Sequence, residues 1–235
     1  PSDALAQAVR VAARLGRPLL VMGEPGCGKT RFAGAVANLL DWEFREWYVK
    51  STQTAAEALY AYDMVGRLRD SQLLANNAIR EEAERDSLLA KSPADYIQQG
   101  ELGDALTADR NTVLLIDEID KADRDFPNDL LLELDKRQFY VEELKKWRGH
   151  PEKDDAKDFD RTSDQELLVI ITSNNERELP EPFLRRCVFF YIEFPGTEML
   201  ERIIASHLEA EQTEAIGGRV VEKFEELRGK MVADR

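Results

Sequence analysis

Three observations predict an α/β fold, a parallel sheet of five strands with helices on both faces. Five strand-like segments, at 18–22, 44–49, 113–116, 167–172 and 188–192, alternate with stretches whose apolar residues recur at helical spacing. Two of them, Val113-Leu114-Leu115-Ile116 and Leu167 to Thr172, are almost unbroken aliphatic runs, the pattern of strands buried from both sides. With 43% hydrophobic and 33% charged residues in 235, the composition is that of a globular chain long enough to build a full core.

The elements follow in order. Ser2 reads as the N-cap of a first helix, with Leu5, Val9 and Ala12 at helical spacing and Gly16 followed by Pro18 as its stop. Pro18 to Met22 is a short buried strand, and Gly23 to Gly28 a glycine-rich loop. Lys29 to Leu40 is a helix with Phe32, Val36, Leu39 and Leu40 on its inner face. Phe44 to Val49 is the second strand. From about 66 to 106 the chain is dense in charge, with Leu68, Leu73, Leu74, Ile79, Leu88 and Leu89 at helical spacing, and reads as inserted helices that are mostly solvated; Gly66 to Asp70 reads as a solvated helix start, the alternative being a pore-facing or substrate-contacting loop. Val113 to Ile116 is a buried strand, backed by a helix carrying Leu130 to Leu134. Residues 151–164 are acidic and lack an apolar run, so they read as a solvated loop. Strands at 167–172 and 188–192 complete the sheet, and helices at 199–208 and about 218–229 follow.

Composition also narrows the functions. There are 46 acidic against 32 basic side chains, a net charge of −14, so no direct binding of nucleic acid or of an anionic membrane is expected, since both favour a basic footprint. No apolar run approaches the length of a membrane span, and no secretory signal is visible. Two cysteines make no disulfide scaffold, which suits a reducing, cytoplasmic setting. His150 and His207 have no metal-ligand spacing with a cysteine. Trp42, Trp47 and Tyr48 flank a strand and read as packing; Cys187 reads as core.

Chemistry concentrates in four places. Gly23-Glu24-Pro25-Gly26-Cys27-Gly28-Lys29-Thr30 fits the phosphate-binding loop pattern without a gap. Its glycines let the backbone curl so that successive N–H groups face a phosphate, and the following helix adds its positive end. Lys29 would neutralise β- and γ-phosphate charge and the Thr30 hydroxyl would ligate Mg²⁺, with Arg31 completing the nucleotide-contacting stretch. At the end of the third strand, Asp117 would hold Mg²⁺ through water and Glu118 would polarise an attacking water. Asn174, in the Ser173-Asn174-Asn175 strand end, would orient that water, although the tripeptide is also good turn sequence. Arg185 and Arg186 close a short helix begun by Pro182; they are either a solvated helix end favoured by the dipole or a charge that reaches the γ-phosphate of a neighbouring subunit.

These four elements, in this order, resemble AAA+ ATPases, and in detail the MoxR branch of the dynein-related group. The residues behind that resemblance are the Glu-Pro-Gly-Cys-Gly-Lys-Thr loop, Leu-Ile-Asp-Glu-Ile-Asp-Lys-Ala at 115–122, the Thr-Ser-Asn strand end, Glu-Leu-Pro-Glu-Pro-Phe-Leu-Arg-Arg-Cys at 178–187, and Phe-Pro at 194–195. The resemblance implies a three-layer αβα P-loop NTPase sandwich over 1–195 and the start of a small helical lid over 196–235. It implies Walker A roles for Lys29 and Thr30, Walker B roles for Asp117 and Glu118, sensor 1 for Asn174, and an arginine finger at Arg186 with Arg185 as a second. It further implies ATP and Mg²⁺, a homo-oligomeric, typically hexameric ring, and a partner protein, often one with a von Willebrand factor A domain, that the ring remodels. The long separation of Lys29 from Asp117 agrees with the insert at 66–106. The short segment after Pro195 offers no sensor 2 arginine in its usual setting, so a truncated lid and a longer parent protein are expected. A nucleotide-gated switch or scaffold with slow turnover uses the same residues. Asp120-Lys121-Ala122-Asp123 is superficially similar to a guanine-reading Asn-Lys-x-Asp, but it begins with Asp, and ATP is expected over GTP.

Overall fold

The structure, a computed structural model, describes residues 3–76, 81–149, 159–161, 165–207 and 223. It divides into two compact units, Pro1–Ile192 and Glu193–Arg235. Ser2, Ile79, His150, residues 151–158 and 162–164 of the expected solvated loop, and the helix expected at 218–229 (residue 223 apart) lie outside the described residues.

The first unit opens with α1 (Asp3–Leu15), which buries Leu5 and Ala12 and ends at Gly16 in the left-handed region, φ +62°. β1 (Leu19–Gly23) leads through the glycine loop into α2 (Lys29–Leu40), and β2 (Glu43–Tyr48) follows. Next come α3 (Ala55–Leu59), β3 (Tyr60–Tyr62), α4 (Met64–Ala75), α5 (Glu82–Ala90), β4 (Ile97–Gln99) and α6 (Glu101–Leu106). β5 (Thr112–Asp117) returns to the sheet, and α7 (Phe126–Asp129) and α8 (Leu131–Lys136) pass behind it. β6 (Gln138–Val141), β7 (Lys146–Gly149) and β8 (Phe159–Arg161) form a separate three-stranded sheet, and β9 (Leu167–Ser173), α9 (Glu181–Leu184) and β10 (Val188–Ile192) close the unit. The second unit contributes α10 (Thr197–His207).

The main sheet has the order β10-β1-β9-β5-β2, and every pairing in it is parallel. Parallel strands need crossovers, and the helices that provide them cover both faces. The unbroken aliphatic runs are explained by two cores. β5 sends Leu114 and Ile116 into one, shared with Leu20, Val169 and Ile171, and Val113 and Leu115 into the other, shared with Leu19, Val21, Leu168 and Ile170. α1 and α2 cover the second core; α3, α6, α7, α8 and α9 close over the first.

The structure corrects or refines four expectations. On α2 the buried face is Lys29, Phe32, Ala33, Val36 and Ala37, while Leu39 is 82% exposed and Leu40 39%. The helix runs past the sheet there and ends at Asp41 in the left-handed conformation, so its last apolar residues have nothing to pack on. Secondly, the insert at 66–106 is not wholly helical, although most of its described residues are exposed, as expected. β3 and β4 pair antiparallel, Tyr60 opposite Gln99 and Tyr62 opposite Ile97. α6 then buries Leu102, Ala105 and Leu106 completely, and Gly103 lets it approach so closely that a Cβ there would lie 1.9 Å from the Leu59 carbonyl oxygen. Thirdly, Gly66 to Asp70 lies in the first turns of α4, which starts two residues earlier and is capped by the Asp63 carboxylate on the Gly66 N–H at 2.7 Å; Arg67, Leu68 and Arg69 are exposed as expected, but Gly66 and Asp70 are buried. The Asp70 carboxylate accepts from Lys91 Nζ at 2.7 Å and Tyr96 Oη at 3.0 Å, tying α4 to the end of α5. Finally, residues 138–149 form the β6–β7 hairpin, in which Phe139 and Val141 point inward, and the described part of 151–164 is the strand β8, parallel to β7.

Candidate active site

The C-terminal ends of β1, β9 and β5 lie side by side, and in open α/β sheets the crevice beyond such ends is where ligands bind. Register brings the chemistry to one level. Met22 pairs with Ser173 and Ile116 with Ile171, so the glycine loop, Asp117 and Asn174 all begin one to two residues past paired positions.

The loop uses glycine for two different reasons. Gly26 and Gly28 have φ of +83° and +94°, and a Cβ on either would point into open space; the backbone conformation excludes L side chains there. Gly23 has an ordinary conformation, but a Cβ on it would lie 2.5 Å from the Ile192 carbonyl oxygen of β10. Lys29 opens α2 and is 6% exposed. A buried ammonium needs acceptors, and its Nζ donates to the carbonyls of Gly23 at 2.8 Å and Glu24 at 2.9 Å, with Cys27 Sγ at 3.8 Å.

The Thr30 hydroxyl donates to both carboxylate oxygens of Asp117, at 3.0 and 3.2 Å. Asp117 is buried at the end of β5, where the Thr172 hydroxyl donates to its Oδ1 at 2.5 Å. Glu118 then leaves the strand in the left-handed region, φ 58° and ψ 50°, a conformation that is costly for a non-glycine residue and so must be held by its surroundings. Its N–H donates to Thr172 Oγ1 at 2.8 Å, its Oε1 accepts from Asn174 Nδ2 at 3.0 Å, and its Oε2 pairs with the Lys121 ammonium. Lys121 holds the Glu118 carboxyl below its ordinary value, partial burial opposes this, and the Asn174 amide adds to the lowering. Asp120 is 2% exposed, and its Oδ2 accepts from the N–H groups of Asn174 at 3.1 Å and Glu176 at 2.9 Å. That carboxylate fixes the loop after β9, so in this structure Asp120 supports Asn174 from within.

These groups surround a cavity of about 330 Å³ lined by the loop and helix residues Pro25, Gly26, Gly28, Lys29, Thr30 and Arg31 together with Asp117, Glu118 and Asn174. Arg185 and Arg186 do not line it. Arg185 Nη2 pairs with Glu181 at 2.6 Å, both groups largely exposed. Arg186 Nε pairs with Asp135 at 2.5 Å and its Nη1 donates to the Pro182 carbonyl at 3.1 Å. Desolvation pushes the nearby Cys187 thiol up to about 12, as expected of the core position read from the sequence. Trp47 is buried and stacks at a tilt on Phe126, with ring centroids 5.7 Å apart, whereas Tyr48 is 55% exposed.

A hydroxyl and a carboxylate in contact beside a phosphate-type loop are the hard oxygen donors that suit Mg²⁺, which takes one or two protein oxygens and leaves the rest to phosphate and water. Among the described residues no group of three or more His, Cys, Asp or Glu gathers into a metal cage, and no described helix is long and apolar enough to cross a membrane. Sequence reasoning missed four supporting residues: Lys121, Asp120, Thr172 and Asp135. Thr172 carried a signal, a hydroxyl at the end of an otherwise aliphatic strand. Asp135 carried none, since it meets Arg186 only through the fold.

A parallel sheet of this order, a glycine loop running from its β1 strand into a helix, and paired acids ending a neighbouring strand define the P-loop ATPase class. The family model for the AAA domain of the dynein-related subfamily matches residues 18–187. The chain belongs to that family. No curated protein matches the sequence. Among solved structures, a candidate ATPase from Cytophaga hutchinsonii is 15% identical with a TM-score of 0.47, over 92% of this chain and 48% of that one. This chain therefore spans about half the length of that protein.

Proposed function

We propose that this chain binds and hydrolyses ATP as a MoxR-type AAA+ ATPase, and that it works in the cytoplasm as a ring, typically hexameric, that remodels a partner protein. The observation that carries the reading is the convergence of Thr30, Asp117, Glu118 and Asn174 on one cavity beside the glycine loop. The loop from Gly23 to Arg31 would cradle the phosphates of ATP, and Lys29 would exchange its carbonyl partners for phosphate oxygens. Thr30 and Asp117 would hold Mg²⁺, which supplies charge neutralisation at the phosphates. Glu118 would accept the proton of the attacking water, with Asn174 orienting the two. Lys121 and Asn174 each engage one oxygen of Glu118, and each oxygen keeps a second lone pair with which to accept from the attacking water.

Arg186 would act on the nucleotide of the neighbouring subunit, with Arg185 beside it, and residues 1–195 and 196–235 would serve as the ATPase core and a partial lid. The MoxR assignment, the ring and a partner bearing a von Willebrand factor A domain rest on the sequence motifs quoted above. The decisive experiment pairs two measurements. Glu118→Gln should bind ATP with wild-type affinity while turnover falls by about a hundredfold or more, and light scattering should give a ring mass with ATP. Hydrolysis at the wild-type rate in Glu118→Gln would remove Glu118 from the mechanism, and a strictly monomeric chain with nucleotide would remove the arginine finger.

A further inference from the structure

We infer that Thr172 is the positioning residue that joins the metal-holding carboxylate to the catalytic one. The inference rests on the nucleotide site proposed above and deepens it. Thr172 is fully buried near the end of β9, opposite Val21 on one side and one residue beyond the Ile171–Ile116 pair on the other. That register sets it level with Asp117 across the strand gap. Its single hydroxyl makes two bonds in opposite senses, donating to Asp117 Oδ1 at 2.5 Å and accepting from the Glu118 N–H at 2.8 Å.

Each bond does a separate task. The first fixes the rotamer of a buried carboxylate whose other donor is Thr30. Thr30 is the residue proposed to turn its hydroxyl oxygen toward Mg²⁺, so Thr172 is the donor to Asp117 that stays in place when the site is loaded. The second bond satisfies the N–H of a residue whose backbone is in the left-handed region, where a lost partner would let the peptide relax and carry the Glu118 side chain off its line. A hydroxyl donates and accepts through a single oxygen atom without bringing charge. Valine has the same shape and neither capacity.

The test measures metal binding and turnover separately. In Thr172→Val, ADP binding in EDTA, read with a fluorescent ADP analogue, should match wild type, showing that the loop and the fold are intact. The Mg²⁺ concentration that half-saturates the ADP-dependent rise in thermal midpoint should increase by about tenfold or more, and kcat should fall by a similar factor with KM nearly constant. Thr172→Ser, which keeps the hydroxyl, should recover most of both. Thr172→Cys keeps the volume with a weaker donor and serves the same comparison if the valine variant does not fold. Wild-type Mg²⁺ dependence and turnover in a folded Thr172→Val or Thr172→Cys would overturn the inference. Lys29→Ala separates this outcome from failure of the nucleotide reading: if Lys29→Ala binds ADP as well as wild type, the site itself is misread, whereas lost binding there beside an unaffected Thr172→Val condemns Thr172 alone.

Discussion

Asn174 donates its side-chain amide to Glu118 Oε1 across 3.0 Å, from the end of the strand that lies next to the one carrying Glu118. The Asn174 main chain is held from behind, because Asp120 accepts its backbone N–H. A polar side chain supported in this way adds orientation more than stability. Asn174→Ala is therefore expected to lower turnover by about a hundredfold while ATP affinity stays within about twofold, the pattern of a misaligned reacting group. Steady-state kinetics together with equilibrium binding read the split; an equal loss in both would mean that Asn174 holds nucleotide and not the reacting water.

Arg186 bears on assembly. Its pair with Asp135 is roughly half exposed, so breaking it should change the unfolding free energy by less than about 1 kcal/mol. Arg186→Ala should thus melt almost as wild type, yet turnover of the assembled protein should drop by about a thousandfold if its guanidinium serves a neighbouring nucleotide. Asp135→Asn frees Arg186 without removing it, and hydrolysis in that variant should be no slower than in wild type. A large loss in Asp135→Asn would show that the pair itself is needed.

Asp70 gives the insert a pH dependence with a definite sign. Lys91 holds its carboxyl below the ordinary value of 3.8, burial opposes, and Tyr96 lowers it further. A carboxylate depressed in the folded state contributes stability that is complete well above pH 3.8 and is lost as the pH falls through that value and below it. The difference in thermal midpoint between wild type and Asp70→Asn should accordingly be widest near neutrality and close on acidification below about pH 4, followed by circular dichroism. A gap that stays constant down to pH 2.5 would exclude the ion pair as its source.

The two faces of the packing can be compared by truncation. Leu115 is fully buried in the central part of the sheet, and Leu115→Ala should cost about 2–5 kcal/mol. Leu39, 82% exposed, should tolerate Lys within about 0.5 kcal/mol. Urea unfolding of both variants checks the burial assignment that helical spacing alone gave wrongly.

The sheet and the site were legible in the sequence for different reasons. Buried parallel strands announce themselves because both faces demand apolar residues, as in Val113 to Ile116, and the glycine loop does so because a phosphate cradle tolerates few residue types. The bounds of α2 were legible but the exposure of Leu39 and Leu40 was not, since apolar spacing says which residues share a face but not where the sheet beneath them stops. The β6–β7 hairpin escaped because only one side of each short strand is apolar, Phe139 and Val141 alternating with Gln138 and Tyr140. The burial of α6 escaped because charges at Glu101 and Asp104 flank residues that the fold buries completely. Contacts such as Arg186 with Asp135, or Asp120 with Asn174, depend on where distant segments come to rest, and no local pattern encodes them.

The loop's glycines divide into two kinds of intolerance, and mirror-image chemistry tells them apart. At 26 and 28 the obstacle is handedness alone, so D-alanine introduced by semisynthesis should be accepted with nucleotide affinity retained, where L-alanine is not. At 23 the backbone conformation is ordinary and the obstacle is the neighbouring strand itself, because the Cβ of L-alanine would lie 2.5 Å from the Ile192 carbonyl oxygen. The mouth of the nucleotide loop is in that sense bolted to the rim of the sheet, and whatever shifts the last strand must also shift the floor on which the phosphates would rest.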